Sequence, residues 1–403
     1  MKTQLPVSNN ARSVVIQLQK AGYETYIVGG AIRDMLLGRE PKDFDISTGA
    51  TPEEIRQVFG RRSCRIIGKR FRLAHVFCGR ELFEVATFRR DPGGSGKEER
   101  SVEGEDVLTG NLIVSDNSFG SSKEDARRRD FTVNALFYDP EKREILDFTG
   151  SGLSDIEKGV VRAIGNPGLR FEEDPVRMLR ALKLVGQYEF ELDNATENAL
   201  FARLPLFELA SVSRRTLELE KILQSSYGDR MLEVFHDYGL LALFLPRLEE
   251  MWECDVMRYA LDLLYERNCR MEEGCFRNSL SLAMALIALP FVEHAMGSAP
   301  GQLWESGPEA DEAISQVIEK LFLPQNMMVR VRIAAERILH LLPLMDSGDR
   351  NVNRRIFSNR SYGHARELYL IRHAVAGEPL EAFEKRWPDA VPERNLRKRG
   401  RNR

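Results

Sequence analysis

Apolar residues recur at helical spacing between Asn10 and Lys20, where Val14, Val15 and Leu18 share a face and Gly22 ends the run. The apolar stretch that follows, YIV from Tyr26, stops at Gly29 and Gly30 and predicts a buried strand and a tight turn. Helical composition returns over residues 31–37 with Gly38 as its stop, and residues 44–47 predict a second short strand. Thr51, Pro52 and Glu54 supply an N-cap, a first-turn proline and a first-turn acid for a helix reaching Phe59. CRII, RLAHVF and LFEVATF, between residues 64 and 88, are strand-like runs, and residues 131–138 with 144–148 predict a further hairpin. From about Phe171 onward the pattern is helical, with no repeat at fixed period. Residues 91–123 break it differently: six Gly and six Ser in 33 positions predict a long mobile loop.

Length turns this pattern into domains, because 403 residues exceed one compact core. We expect an α+β head with a small mixed sheet over residues 1–155, a helical neck over 156–230, an all-α body over 231–390 and a disordered basic tail over 391–403. A net charge of −3 gives no global attraction to nucleic acid, so any RNA surface must be a local cluster. The tail is such a cluster, with Arg397, Lys398, Arg399 and Arg401 among six basic residues in its last ten. No run approaches the roughly 18 apolar residues of a membrane span, and the N-terminus lacks a signal-peptide core. Five cysteines without a CxxC pair fit a reduced, cytoplasmic protein without a zinc ribbon.

Three constellations carry candidate chemistry. In KDFDIST, strand alternation puts Asp43 and Asp45 on one face, where two like charges call for a cation such as Mg²⁺. On its own a DxD also fits two solvated acids at a strand end. Upstream, Gly29 and Gly30 allow close backbone approach to a phosphate, and Arg33 adds a charged fork. Glu84, on a strand face with Ala86 and Phe88, is a candidate third acid or a solvent-facing edge-strand residue. The second constellation is RRRDFTVNAL, whose three arginines at 127–129 suit a triphosphate and whose Asp130 suits a ribose hydroxyl or assistance to the metals, or else the run is a solvated helix end. The third is FEEDPVRMLRALK. Pro175 opens a helix, the acids at 172–174 suit its positive end, and Asp174, Arg177 and Arg180 recur at a spacing of three. An acceptor beside a donor matches the edges of adenine and cytosine and rejects guanine and uracil, without separating A from C.

Taken together, YIVGGAIRDMLLG, KDFDIST, RRRDFTVNAL, LDFTG, IGNP and EEDPVRMLRA make the chain resemble the class II polymerase-β-type nucleotidyltransferases over residues 23–223. That family holds bacterial poly(A) polymerases and CCA-adding tRNA nucleotidyltransferases. The resemblance implies metal binding by Asp43 and Asp45 with Mg²⁺, and catalytic assistance from Asp130 and Glu84. It implies nucleotide contacts from Gly29, Gly30, Arg33, Arg129, Asp174, Arg177 and Arg180, and bracing of the base-reading helix by Arg214 and Glu218. IIGKRFRLAHV (66–76) and the basic tail resemble the poly(A) polymerase branch, and none of the six histidines forms an HD pair of the kind a hydrolase tail domain would show. Lys183 stands where the family's helix often has an arginine, and FTGSGLSDI carries one extra residue. The implied activity is addition of AMP from ATP to RNA 3′ ends (mRNA or other RNA), with CCA, CC or A addition to tRNA as the alternative. A catalytically silent RNA-binding adaptor is the remote third.

Overall fold

The computed structural model describes residues 1–68, 73–90, 119–274, 278–347 and 356–389. The glycine- and serine-rich segment 91–118, residues 69–72 of the IIGKRFRLAHV stretch and the basic tail lie outside them. The chain divides into two compact units, Met1–Leu209 and Ala210–Arg403, a division that falls within the segment read above as the neck.

The first unit is built on a seven-stranded sheet. Its strands are β1 (Thr25–Val28), β2 (Asp45–Thr48), β3 (Cys64–Ile67), β4 (Leu73–Cys78), β5 (Glu81–Thr87), β6 (Leu136–Asp139) and β7 (Glu144–Asp147), in the order β3-β4-β5-β2-β1-β6-β7. All neighbours are antiparallel except β2 and β5. All four β1 residues are buried, so both faces are covered there. Helices α1 (Asn9–Lys20) and α3 (Pro52–Ser63) pack on the sheet, α1 through Ala11, Val14, Val15 and Leu18. Tyr26, Val28, Phe88 and Phe137 form one cluster with Ala126 of α4 (Ser122–Arg128). Towards β3 the coverage becomes one-sided: Ala74, Val76, Phe83 and Val85 are buried, while Phe77, Leu82 and Glu84 on alternate positions are exposed.

The caps read from sequence form as expected. Thr51 and Glu54 make a reciprocal capping box at α3, and Ser121 with Glu124 makes a second at α4. Two expectations change. Residues 131–135 are not strand: a 3-10 turn over Thr132–Asn134 precedes β6, because the Asp130 carboxylate gathers the Phe131 N–H (2.8 Å) and the Asn134 amide (3.2 Å) and curls the chain. The acids before Pro175 do not all head one helix. Glu172 and Glu173 end α6 (Pro167–Glu173), Asp174 is extended, and α7 (Val176–Tyr188) starts afresh. Between α4 and α6 lies α5 (Gly152–Lys158), and α8 (Asn194–Arg203) closes the first unit's helices; β8 (Val160–Val161) and β9 (Glu191–Leu192) form a small parallel pair.

The second unit is helical among its described residues, beginning with α9 (Val212–Leu223). Its centre is the helix Leu280–Ala295, buried on nearly every side. It packs against the helices Asp255–Glu272, Pro308–Lys320 and Val329–Asp346. No helix of the described residues is long and apolar enough to cross a membrane.

Candidate active site

Asp43 precedes β2 and Asp45 is its first residue; both are exposed. Asp45 stands opposite Val28, the last residue of β1, where the chain turns into Gly29. On its other side the parallel register Ile46↔Val85, extended by one residue, sets Asp45 beside Glu84 on the same face. Glu84 is on an inner strand, yet its side chain is 57% exposed, with His75 Nε2 at 3.7 Å, so its setting is not the apolar one its neighbours suggested. Among the described residues no group of three His, Cys, Asp or Glu forms a closed metal cage. The donor set is hard carboxylate oxygen, open to solvent. It fits a divalent ion that takes its remaining ligands from water and a substrate phosphate, as Mg²⁺ does.

The two glycines make room for two arginines. Gly29 has φ +79°, and a Cβ there would lie 3.3 Å from Arg129 Nη1; a Cβ on Gly30 would lie 3.1 Å from Arg33 Nη2. Arg33, on α2 (Gly30–Leu36), is buried, and its guanidinium is held by the protein. Nε and Nη2 donate to Asp34 Oδ1 (3.1 and 2.8 Å), Nη2 donates to the Tyr188 hydroxyl (2.6 Å), and Nη1 donates to Asn134 Oδ1. The Tyr188 ring lies 4.3 Å beneath it. One N–H of the five is left on Nη1, so Arg33 presents a fixed positive wall with a single spare donor rather than an open fork.

Arg129 reaches back over the sheet. Its Nη2 donates to Ser47 Oγ (3.2 Å), two residues along β2 from Asp45, and to Asp125 Oδ2 (3.0 Å); Nη1 donates to the Asn134 carbonyl (3.4 Å). Asp130 is buried and ion-paired to Arg180 Nη1 at 3.2 Å. Burial alone would raise its pKa. The Arg180 charge, the Asn134 amide, the Phe131 N–H and the Arg177 charge outweigh that and hold the carboxyl below the usual range. Asn134 is the hub: its side chain joins Arg33 to Asp130 and its carbonyl holds Arg129.

Helix α7 is tied to the rest of this unit at both ends, through Arg180 to Asp130 and through Tyr188 to Asp34 (2.7 Å) and Arg33. At its start Asp174 and Arg177 are both buried. Arg177 Nη1 donates to Glu173 Oε2 (2.9 Å) and the Arg170 carbonyl (2.8 Å), which fixes the plane of the guanidinium, and Asp174 Oδ1 accepts from the Val176 N–H (3.2 Å). The structure thus brings Arg33, Arg129, Asp130, Arg180 and, through Arg170, Arg177 into one bonded network, with Gly29 and Gly30 packed against Arg129 and Arg33 and with Asp45 and Glu84 on the adjoining sheet face. Arg214 and Glu218 belong to α9 in the second unit, the first exposed and the second buried with Lys221 Nζ at 3.2 Å. Arg397, Lys398, Arg399 and Arg401 lie outside the described residues. Sequence reasoning assigned no role to Asn134, Tyr188, Ser47 or Asp125, and read Glu173 only as an acid at a helix start. Asn134 lay inside a motif already singled out; Tyr188 carries no local signal, because its partners are about 150 residues away.

The poly(A) polymerase head domain matches residues 25–162, and the probable RNA and SrmB-binding site of polymerase A matches residues 189–260. The chain is 41% identical to Poly(A) polymerase I of Haemophilus influenzae over 241 residues, 60% of this chain and 52% of that one. It is 37% identical to the CCA-adding enzyme of Geobacillus thermodenitrificans over 248 residues, 62% of this chain and 57% of that one. It therefore spans little more than half the length of these relatives. Among solved structures, the CCA-adding enzyme of Bacillus stearothermophilus in complex with CTP superposes with a TM-score of 0.64 at 25% identity, covering 97% of this chain and 81% of that one. With the sheet, the carboxylate pair and the arginine network in place, the chain belongs to the polymerase-β-type nucleotidyltransferases, the family of bacterial poly(A) polymerases and the related CCA-adding enzymes.

Proposed function

We propose that the protein is a template-independent poly(A) polymerase that transfers AMP from ATP to RNA 3′ ends and releases pyrophosphate. The observation that carries the chemistry is the exposed Asp43–Asp45 pair, with Glu84 beside it, adjoining the Arg33–Arg129–Asn134 network on one sheet. The adenylate choice is supported by the 41% identity to a Poly(A) polymerase I.

Nucleotidyltransferases of this family are metal-dependent. A divalent ion, Mg²⁺ in our reading, would be held by Asp43 and Asp45 and would neutralise charge on the α-phosphoryl oxygens. The RNA 3′-oxygen would form a bond to the α-phosphorus as the bond to the pyrophosphate oxygen breaks, and Glu84 would take the hydroxyl proton. Arg129 and the spare Arg33 donor, packed against the two glycines, would contact the triphosphate, and Asp130 would contact the ribose. Asp174 offers an acceptor to the adenine amino group, with Arg177 held in plane beside it by Glu173. Arg214 and Glu218 would brace the reading helix, and the tail residues Arg397, Lys398, Arg399 and Arg401 would hold RNA by its phosphates. A cytoplasmic role in RNA processing fits this activity.

The test is incubation of the protein with Mg²⁺, ATP and an unstructured RNA. Long adenylate tails, abolished by Asp43→Ala/Asp45→Ala, support the proposal. Extension of tRNA ends alone, by one to three nucleotides, overturns it in favour of CCA, CC or A addition. That second reading has its own support in the fold match to a CCA-adding enzyme over 97% of the chain. An adaptor role would require the double variant to keep the cellular activity.

A further inference from the structure

Beyond the nucleotide pocket, one surface of the first unit has the makings of a site. The strands β3, β4 and β5 expose the face that carries Glu84. Register places Arg65, His75 and Glu84 in one row across them, with Asp45 next in line on β2. The following row on that face is the cross-strand pair Phe77 and Leu82. Both are uncovered, Phe77 at 41% and Leu82 at 48% exposure, and Ile67 on β3 is 45% exposed. Phe77 and Leu82, adjoining and open to water on one pleated surface, form a patch that invites a partner, while Ile67 stands apart from them across the Arg65–His75–Glu84 row.

The chemistry around the patch narrows the partner. The Arg65 guanidinium carbon lies 5.6 Å from the Phe77 ring centroid, and Arg80, in the turn joining β4 to β5, is exposed. An exposed ring flanked by a cation suits a molecule of alternating flat bases and phosphates. Position narrows it further. Two strand spacings and one row separate Phe77 from Asp45, about 12 Å, which a few stacked nucleotides span. The β1 side of Asp45 is filled by the Gly29 turn and the Arg33, Arg129 and Asn134 side chains. A strand whose 3′-hydroxyl sits at Asp45 and Glu84 has, among the described residues of the first unit, the exposed β5–β4–β3 face beside it.

We infer that the face bearing Phe77, Leu82 and Arg65 is a stacking platform for the bases just upstream of the RNA 3′ end, with Arg65 and Arg80 on their phosphates. This rests on the nucleotidyl-transfer reading only for the polarity of the strand. Leu82 covers the apolar base surface, and Phe77 supplies the ring on which a base stacks without regard to its identity, as tailing of varied RNAs needs.

The experiment uses the full chain and a single-stranded oligoadenylate with 5-iodouridine three or four positions from its 3′ end. Irradiation should cross-link the RNA within the peptide spanning residues 73–84. In direct binding, Phe77→Leu, which keeps an apolar side chain, should weaken RNA affinity about fivefold or more, Phe77→Tyr should restore it, and ATP affinity and melting temperature should stay put. Arg65→Gln should weaken RNA binding and flatten its salt dependence. Cross-links elsewhere, or RNA affinity unchanged in Phe77→Leu, overturn the platform. Neither readout needs catalysis. A cross-link at Phe77 without AMP transfer supports the platform while sinking the proposed activity, and tailing without that cross-link does the reverse.

Discussion

At the scale of single residues, Tyr188 and Asn134 decide how much of the arginine cluster a nucleotide can use. Tyr188 accepts from Arg33 and donates to Asp34, so Tyr188→Phe removes a hydroxyl while leaving the ring under the guanidinium. We expect a several-fold rise in KM for ATP, little change in kcat and a nearly unchanged melting temperature. Tyr188→Ala should in addition cost about 3–5 kcal/mol of stability. Equal KM values for wild type and Tyr188→Phe would show that Arg33 needs no such anchor. Asp130 makes a pH-dependent contribution. Its folded-state pKa is lowered, so its stabilisation is fully present above the ordinary carboxylate range and is lost as pH falls through it. Melting curves from pH 5 to pH 3 should therefore fall less steeply in Asp130→Asn than in wild type. Contiguous motifs made Asp43, Asp45, Gly29 and Gly30 legible in the sequence. The partners that hold Arg33 and Arg129 were not, because a lone Tyr, Ser or Asn acquires its meaning only when folding brings distant segments together.

At the scale of elements, hydrophobic period and capping chemistry located β1, β2, α1, α2 and α3 closely, helped by glycine stops after α1, β1 and α2 and by the N-cap signal of α3. The segment after Asp130 escaped because a side-chain carboxylate competes with the strand for its backbone N–H, a choice that residue type alone does not announce. The glycine turn offers a controlled comparison. Gly29 and Gly38 both have positive φ, at +79° and +71°, but only Gly29 has a neighbour, Arg129 Nη1, within reach of an added Cβ. Alanine at either should cost about 1–2 kcal/mol of stability, and only Gly29→Ala should weaken ATP binding. Equal loss of ATP affinity in both would mean that backbone strain, not arginine placement, is the point of the turn. In the second unit, Glu293 is buried in the helix Leu280–Ala295 and accepts from the Gly301 N–H at 2.8 Å. Burial pushes its pKa up to about 7, against the pull of that N–H and of Arg372. The raised value means its stability is fully present below the ordinary 4.5 and is lost as pH rises through 7. Glu293→Gln should match wild type near pH 4 and exceed it at pH 8, by about 2–3 kcal/mol.

At the scale of the whole molecule, a mixed sheet followed by a helical unit was readable from the change in hydrophobic period near Phe171. The point of division at Leu209 was not, because β8 and β9, α7 and α8 join the first unit through contacts that carry no sequence pattern. If the basic tail holds RNA as proposed, removing residues 394–403 should lower RNA affinity, reduce its salt slope and leave ATP binding alone. The central claim is that the Asp43–Asp45 site makes adenylate tails. Its most direct test is the length and base composition of products formed from all four nucleoside triphosphates with Mg²⁺ on two substrates, an unstructured RNA and a tRNA lacking its 3′ end. We predict long products containing adenylate alone on the unstructured RNA. Short additions containing cytidylate, confined to the tRNA, would contradict it.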